Sequence, residues 1–214
     1  MKQRRHPFIA FLGGTGAGKT TAMQTVADRL GFQPVPEEFQ ENHFLPLFYD
    51  DMRRWGLFSQ NFFLINKANQ LMKIQKMLSR RPVVLDVAIY QDRCFMDALY
   101  DERVVTGSDY RVYDTLYKKV LKHSPAPDLV VYLKTSAQEL LRRIRGRARA
   151  MEGSVTEQYL EALIRAQEQW VRRNRSKIPV LTIKTDALNF AKDRHAMRTL
   201  TDAVKTELKK KGFR

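Results

Sequence analysis

The chain has 214 residues, 43% of them hydrophobic, which is enough for one domain with a full core. Lys and Arg number 38 against 23 Asp and Glu, a net charge of +15 that points to polyanionic partners, nucleotides or nucleic acid. A single cysteine, Cys94, excludes an internal disulfide, four scattered histidines give no zinc-ligand spacing, and no apolar run approaches a membrane span.

The first apolar run, Phe8-Ile9-Ala10-Phe11-Leu12, has the composition of a buried parallel strand. It starts so early that no signal or transit peptide fits ahead of it, and the chain is expected to be cytoplasmic. Gly13-Gly14-Thr15-Gly16-Ala17-Gly18-Lys19-Thr20-Thr21 follows and fits the phosphate-loop pattern G-x-x-x-x-G-K-[ST]. Residues 21–30 then read as a helix with Ala22, Val26 and Leu30 on one face. Strand, glycine loop and helix are the setting this motif needs. Glycines let backbone N–H groups turn in on phosphate oxygens, and the helix start adds partial positive charge. Lys19 reaches the outer phosphates and the Thr20 hydroxyl serves Mg²⁺. The stretch predicts a nucleoside triphosphate site and leaves the acceptor open.

Residues 33–36 form a short second strand running into Glu37-Glu38. Residues 42–55 are rich in aromatics, a helix or a loop. Residues 58–78 read as a long helix with an apolar stripe at Phe58, Phe62, Ile65 and Met72, and with Gln60 and Lys67 off it. Arg81-Pro82 breaks that helix, Val83-Val84-Leu85 is a third strand, and Asp86 ends it. After an N-cap signal at Gly107-Ser108-Asp109, Tyr113, Leu116, Tyr117, Val120 and Leu121 make a second stripe. A fourth strand covers 129–133, and Ser136 caps a helix through Leu140, Leu141 and Ile144. Thr156 opens a helix with Leu160, Leu163, Ile164 and Val171 inward. A fifth strand covers 179–183, and a last helix holds Met197, Leu200, Val204 and Leu208. Helices alternating with continuous apolar strands predict an α/β domain over 1–214, with a five-stranded parallel sheet covered on both faces. Ligands of such sheets bind beyond the carboxyl ends of the strands, where the glycine loop, Glu37 and Asp86 fall.

Phosphoryl transfer from this loop needs a carboxylate to take the acceptor's proton, a second carboxylate at Mg²⁺, and cations around the migrating group. Glu37 or Glu38 suits the first role and Asp86 the second. Arg142, Arg143, Arg145, Arg147 and Arg149 fall within eight residues and supply the third. Alternate arginines beside Gly146 fit a phosphate-clamping lid over about 142–153 better than a helix face, where residues two apart diverge. Their mutual repulsion predicts a segment that waits for a polyanion.

The order of these residues resembles the deoxyribonucleoside kinases. Beyond the glycine loop, the likeness runs through Pro36-Glu37, Phe48-Tyr49-Asp50-Asp51 with Trp55, Gln60, Asp86 and Ile89-Tyr90-Gln91-Asp92-Arg93. It continues through Pro127-Asp128-Leu129, the arginine run with Glu152, Tyr159-Leu160 and Trp170. Glu41-Asn42-His43-Phe44-Leu45 and Phe62-Phe63-Leu64 are most similar to the bacterial deoxyadenosine and deoxyguanosine kinases. The resemblance implies a P-loop nucleoside kinase fold, ATP or another NTP as donor, Mg²⁺, a deoxyribonucleoside acceptor with purines slightly favoured, and a homodimer. It implies Glu37 as general base on the 5′-hydroxyl, Tyr49 and Glu152 at the sugar 3′-hydroxyl, and Gln60 on the base. It also implies Asp86 near Mg²⁺, and Arg143, Arg145, Arg147 and Arg149 as the lid over the triphosphate, with Arg147 at the reaction centre. Tyr49, Phe62 and Phe63 are the expected pocket walls. Many members follow the acidic residue with arginine and serine, whereas Val87-Ala88 follow Asp86 here. Arg93 or a lid arginine is then expected to steady the transferring phosphate.

Two other readings stay open at this point. A nucleoside monophosphate kinase on the same fold would need a fixed arginine such as Arg53, Arg54 or Arg93. A non-catalytic, basic nucleotide-binding subunit would explain the charge and the missing arginine. No membrane or nucleic-acid partner is expected.

Overall fold

The computed structural model describes residues 6–37, 42–147, 149 and 152–213. Glu38, the neighbouring candidate for the base, and residues 148, 150 and 151 of the expected lid lie outside them. Five strands, β1 (Phe8–Gly13), β2 (Gln33–Val35), β3 (Val83–Leu85), β4 (Leu129–Lys134) and β5 (Val180–Lys184), form one sheet in the order β2-β3-β1-β4-β5, and every pairing is parallel. This is the five-stranded parallel sheet with helices that the sequence predicts. The central strands are apolar throughout because both of their faces are covered. Every residue of β1 and β3 is buried, and all of β4 but its last.

Ala10 pairs with Leu85 and Gly13 with Leu133, so the glycine loop and the end of β3 emerge at the same rim of the sheet. Asp86 N–H donates to Val35 O at 3.0 Å, and Ala88 N–H to Phe11 O at 2.7 Å. The chain goes from β1 out to β2, returns to β3 and then crosses to β4, so the strand order reverses around β1. That reversal opens a crevice at the strand ends.

The helices are α1 (Lys19–Leu30), α2 (Phe44–Asp50), α3 (Met52–Met77), α4 (Ile89–Asp101), α5 (Gly107–His123), α6 (Ala137–Arg147), α7 (Glu157–Asn174) and α8 (Arg194–Lys210). α1 packs with α8, α4 packs with α7 and β1, and α3 and α5 lie against α4. Helices α7 and α8 follow their sequence pattern. Thr156 and Asp193 cap them, and Leu160, Leu163, Leu200, Val204 and Leu208 are buried.

Helix α3 does not follow its pattern. It starts at Met52 rather than near 58, because Asp51 accepts the Arg54 N–H at 3.1 Å and ends α2 as it caps α3. Its apolar stripe faces out, with Phe58 53%, Ile65 62% and Met72 56% exposed. The buried side carries Ser59, Gln60, Lys67 and Gln70 among Leu64, Leu71 and Ile74. Helix α4 has no counterpart in the sequence reading. It is buried over most of its surface, polar Gln91 and Asp92 included, and a helix buried nearly all round has no amphipathic period to read. The second stripe divides: Tyr113 and Tyr117 of α5 are buried, while Leu116 and the adjacent Val112 are exposed.

Candidate active site

The glycine loop is shaped by backbone that only glycine adopts freely. Gly16 and Gly18 have φ of +88° and +90°, and Gly18 is also the N-cap of α1, so the loop passes straight into a helix N-terminus. A Cβ on Gly14 would lie 2.6 Å from Leu140 Cδ1, and one on Gly16 3.3 Å from Ile144 Cγ1, so α6 rests directly on the loop. Gly13 N–H donates to Gln91 Oε1 at 3.0 Å, and the same oxygen accepts Gln167 Nε2 at 3.0 Å. Lys19 Nζ donates to Gly13 O at 2.8 Å and Gly14 O at 3.0 Å. Burial lowers the Lys19 pKa, against the pull of Asp86 and Glu37.

The end of β3 brings Asp86 to this loop. Its Oδ2 accepts the Thr20 hydroxyl at 2.7 Å, while its buried Oδ1 has no protein partner. A free carboxylate oxygen beside a hydroxyl is an oxygen donor set that fits a hard divalent cation. No group of three or more His, Cys, Asp or Glu side chains is poised for a metal among the described residues. Such a cation would therefore take its other ligands from phosphate and water.

The loop opens into a cavity of about 410 Å³. Its phosphate end is lined by Thr15, Gly16, Gly18, Lys19, Thr20, Thr21, Asp86, Arg143 and Arg147. Its far end is lined by Glu37, Leu45, Phe48, Tyr49, Gln60, Phe63, Asp92, Phe95 and Glu152, with Arg149 also at its wall. Residues from seven separate segments thus share one space of a size that takes a small ligand. Gln60 is 3% exposed and its Oε1 has no protein partner, a buried acceptor at the cavity wall. Arg147 makes a two-pronged pair with Glu152, Nε to Oε2 at 2.8 Å and Nη2 to Oε1 at 2.5 Å. Burial, with Glu152 close by, pushes the Tyr49 phenol up.

The arginine run carries its own counter-charges. Arg142 and Arg143 both bond Glu139, whose carboxyl these bonds, Arg142's first, hold down at about 2. Arg147 and Arg149 both face Glu152. Arg143 Nη2 also donates to Thr185 O at 2.5 Å and Leu188 O at 3.2 Å, which ties α6 to the turn after β5. The expected repulsion is therefore largely compensated within the protein.

Three expectations need correction. Arg93 does not reach the cavity. Its guanidinium bonds Asp97 at 2.7 Å, bonds Asp114 and the Tyr110 hydroxyl, and stacks over the Tyr110 and Tyr117 rings, so it joins α4 to α5. Arg145 is exposed and is not among the lining residues, because α6 continues through it and turns it away from its neighbours. Phe62 packs on His43 and Phe44 outside the cavity, leaving Phe63 as the wall.

Asp92 was named only within the run Ile89 to Arg93 and was given no role. It is 2% exposed, its Oδ2 has no protein partner, and burial raises its carboxyl to about 7, with Lys67 pulling down and Glu37 pushing up. An acid in a first helical turn ordinarily reads as a complement to the helix dipole, and that reading hides it. Gln91 was missed for the same reason as the whole of α4.

Comparison with known proteins converges on one family. The deoxynucleoside kinase family profile matches residues 9–209. The deoxyguanosine kinase of Bacillus subtilis (strain 168) is 29% identical over 204 residues, 93% of this chain and 96% of its own. The deoxyadenosine kinase of Lactobacillus acidophilus is 29% identical over 213 residues, 95% of this chain and 97% of its own. Among solved structures, the deoxyadenosine kinase from M. mycoides with products dCMP and a flexible dCDP bound matches with a TM-score of 0.82 at 25% identity, over 93% of this chain and 99% of that one. The matched span runs from inside β1 into α8 and so takes in both ends of the cavity. This chain belongs to the deoxynucleoside kinase family, and it is an enzyme that phosphorylates nucleosides.

Proposed function

We propose that the enzyme transfers the γ-phosphoryl group of ATP to the 5′-hydroxyl of a deoxyribonucleoside, with Mg²⁺, and that purine deoxynucleosides are its better acceptors. The observation that carries this reading is the single cavity joining the glycine loop and Lys19 to Glu37, Tyr49, Gln60 and Glu152. In this mechanism the loop N–H groups and Lys19 hold the outer phosphates, and Arg143, Arg147 and Arg149 close over them. Thr20 and Asp86 would hold Mg²⁺, which when bound neutralises charge on the phosphate oxygens. Glu37 accepts the proton of the 5′-hydroxyl as its oxygen bonds to the γ-phosphorus, and the bond to the β-phosphate oxygen breaks to leave ADP. Tyr49 and Glu152 hold the sugar, and Gln60 takes a base edge through its donor-and-acceptor amide.

The purine preference is supported by the deoxyguanosine and deoxyadenosine kinases among the relatives, and by Asp92 as a second polar group at the base end. Arg53, Arg54 and Arg93 do not line the cavity, so among the described residues no cation at the acceptor end answers a phosphate-bearing acceptor except the lid itself. A homodimer is supported by exposed apolar residues on two helices that touch, Phe58, Ile65 and Met72 on α3 and Val112 and Leu116 on α5. No helix among the described residues is long and apolar enough to cross a membrane.

The test is a panel of nucleosides, deoxynucleosides and nucleoside monophosphates with ATP and Mg²⁺, read as product formation. Deoxynucleoside monophosphates from deoxyadenosine and deoxyguanosine support the proposal. Diphosphates formed from monophosphates alone would make it a monophosphate kinase, and no product at all a binding subunit. Ile65→Glu should halve the mass seen by light scattering if α3 carries the dimer contact.

A further inference from the structure

Lys67 has no part in the transfer as described so far, yet it sits beside it. The residue is 2% exposed on the buried side of α3, and a buried ammonium needs partners. It donates to Val87 O at 2.8 Å and to Gln70 Oε1 at 3.3 Å, and it forms an ion pair with Glu37, Nζ to Oε1 at 3.8 Å. Gln70 Nε2 in turn donates to Pro36 O at 2.9 Å. One side chain on α3 thus ties the end of β3, through Val87, to the end of β2, through Glu37 and through Gln70 and Pro36.

That tie matters because, among the described residues, little else fixes Glu37. Strand β2 is three residues long and only half buried, and Glu37 lies beyond its last ladder pair. The other cations near the cavity are engaged: Lys19 on the loop carbonyls, Arg143 on Glu139 and the turn after β5, Arg147 and Arg149 on Glu152. We propose that Lys67 is a positioning residue for phosphoryl transfer, which acts by holding the Glu37 carboxylate aimed at the acceptor hydroxyl. This rests on Glu37 being the base. The ammonium is not among the groups lining the cavity, so it works through Glu37 and not on substrate.

The test is a double-mutant cycle of Lys67→Met and Glu37→Gln, with melting temperatures as a check on folding and Lys67→Gln as a second variant that keeps a donor for Val87. Lys67→Met should lower kcat at least about tenfold with KM for ATP unchanged, because a slightly misplaced base is costly. Adding Lys67→Met to Glu37→Gln should change the rate by no more than about twofold, since both act through one group. A full additional loss in the double variant, or a KM for ATP that rises as kcat falls, overturns the proposal. So does failure of both Lys67 variants to fold, which makes the residue part of the core. Full activity in Glu37→Gln alone is a different result: it removes Glu37 as the base.

Discussion

The two ends of the cavity are built by different means. At the phosphate end, the work is done by backbone: nine consecutive residues, Gly13 to Thr21, set between β1 and α1 and backed by Leu140 and Ile144 of α6. At the acceptor end, side chains do it: Glu37 after β2, Tyr49 on α2, Gln60 on α3, Asp92 on α4 and Glu152 before α7. A backbone site needs a local sequence and is rigid once folded. A side-chain site needs helices that turn polar residues inward, and α3 does so at the expense of leaving Phe58, Ile65 and Met72 outside. On the proposed mechanism the first kind holds the donor's phosphates, and the second kind selects the acceptor.

The two ends should therefore fail differently. Lys19→Ala is expected to cost at least about a thousandfold in kcat for every acceptor, because it removes the cation at the transferring group. Its melting temperature should stay near that of the parent, and an active, folded Lys19→Ala protein would sink the mechanism. Glu37→Gln should lower kcat by about a hundredfold, the scale of a lost general base, with ATP affinity kept. A loss in Glu38→Gln instead would move the base by one residue.

Gln60→Leu tests the acceptor end alone. It should lower kcat/KM for all accepted nucleosides by an amount worth about 1–3 kcal/mol, and leave ATP binding unchanged. It should also raise the melting temperature of the ligand-free protein, since the Gln60 Oε1 is buried without a protein partner. Higher stability together with full activity would make Gln60 a packing residue.

Asp92→Asn gives the smallest and most conditional effect. Its carboxyl is raised from 3.8 to about 7 by burial, so the folded protein binds a proton that the unfolded chain has released between those values. Stability from this group is present below about pH 4 and is lost as pH rises to about 7. Asn escapes that loss. The melting-temperature gain of Asp92→Asn should grow from pH 4.5 to 7 and then level off, reaching roughly a few degrees. A gain that does not change with pH would mean that Asp92 is not titrating there.

The same division explains what the sequence disclosed. Gly13 to Thr21, Asp86 and the five parallel strands were legible because each rests on local pattern: a glycine motif, a polar residue ending an apolar run, and alternating elements. Glu37, Tyr49 and Glu152 entered through the family likeness, as spacing alone gives a carboxylate in a turn and a tyrosine in a helix. Asp92 and Lys67 stayed hidden because charged residues on helices are ordinarily solvated, and only tertiary packing shows that α3 and α4 bury them. Arg93 was misplaced for the converse reason. Its partners Asp97 and Asp114 lie on two helices whose contact no local pattern announces.

The seat of α6 on the glycines has a consequence for binding thermodynamics. Leu140 and Ile144 lie where side chains on Gly14 and Gly16 would stand, so the loop cannot relax into other shapes without lifting that helix. The conformational entropy of the loop is removed when the chain folds and is not charged again when a nucleotide arrives. Triphosphate affinity is then set by electrostatics and desolvation, and should change little on stiffening the loop further. Loosening the Leu140 contact would instead make every nucleotide bear the cost of ordering the cradle.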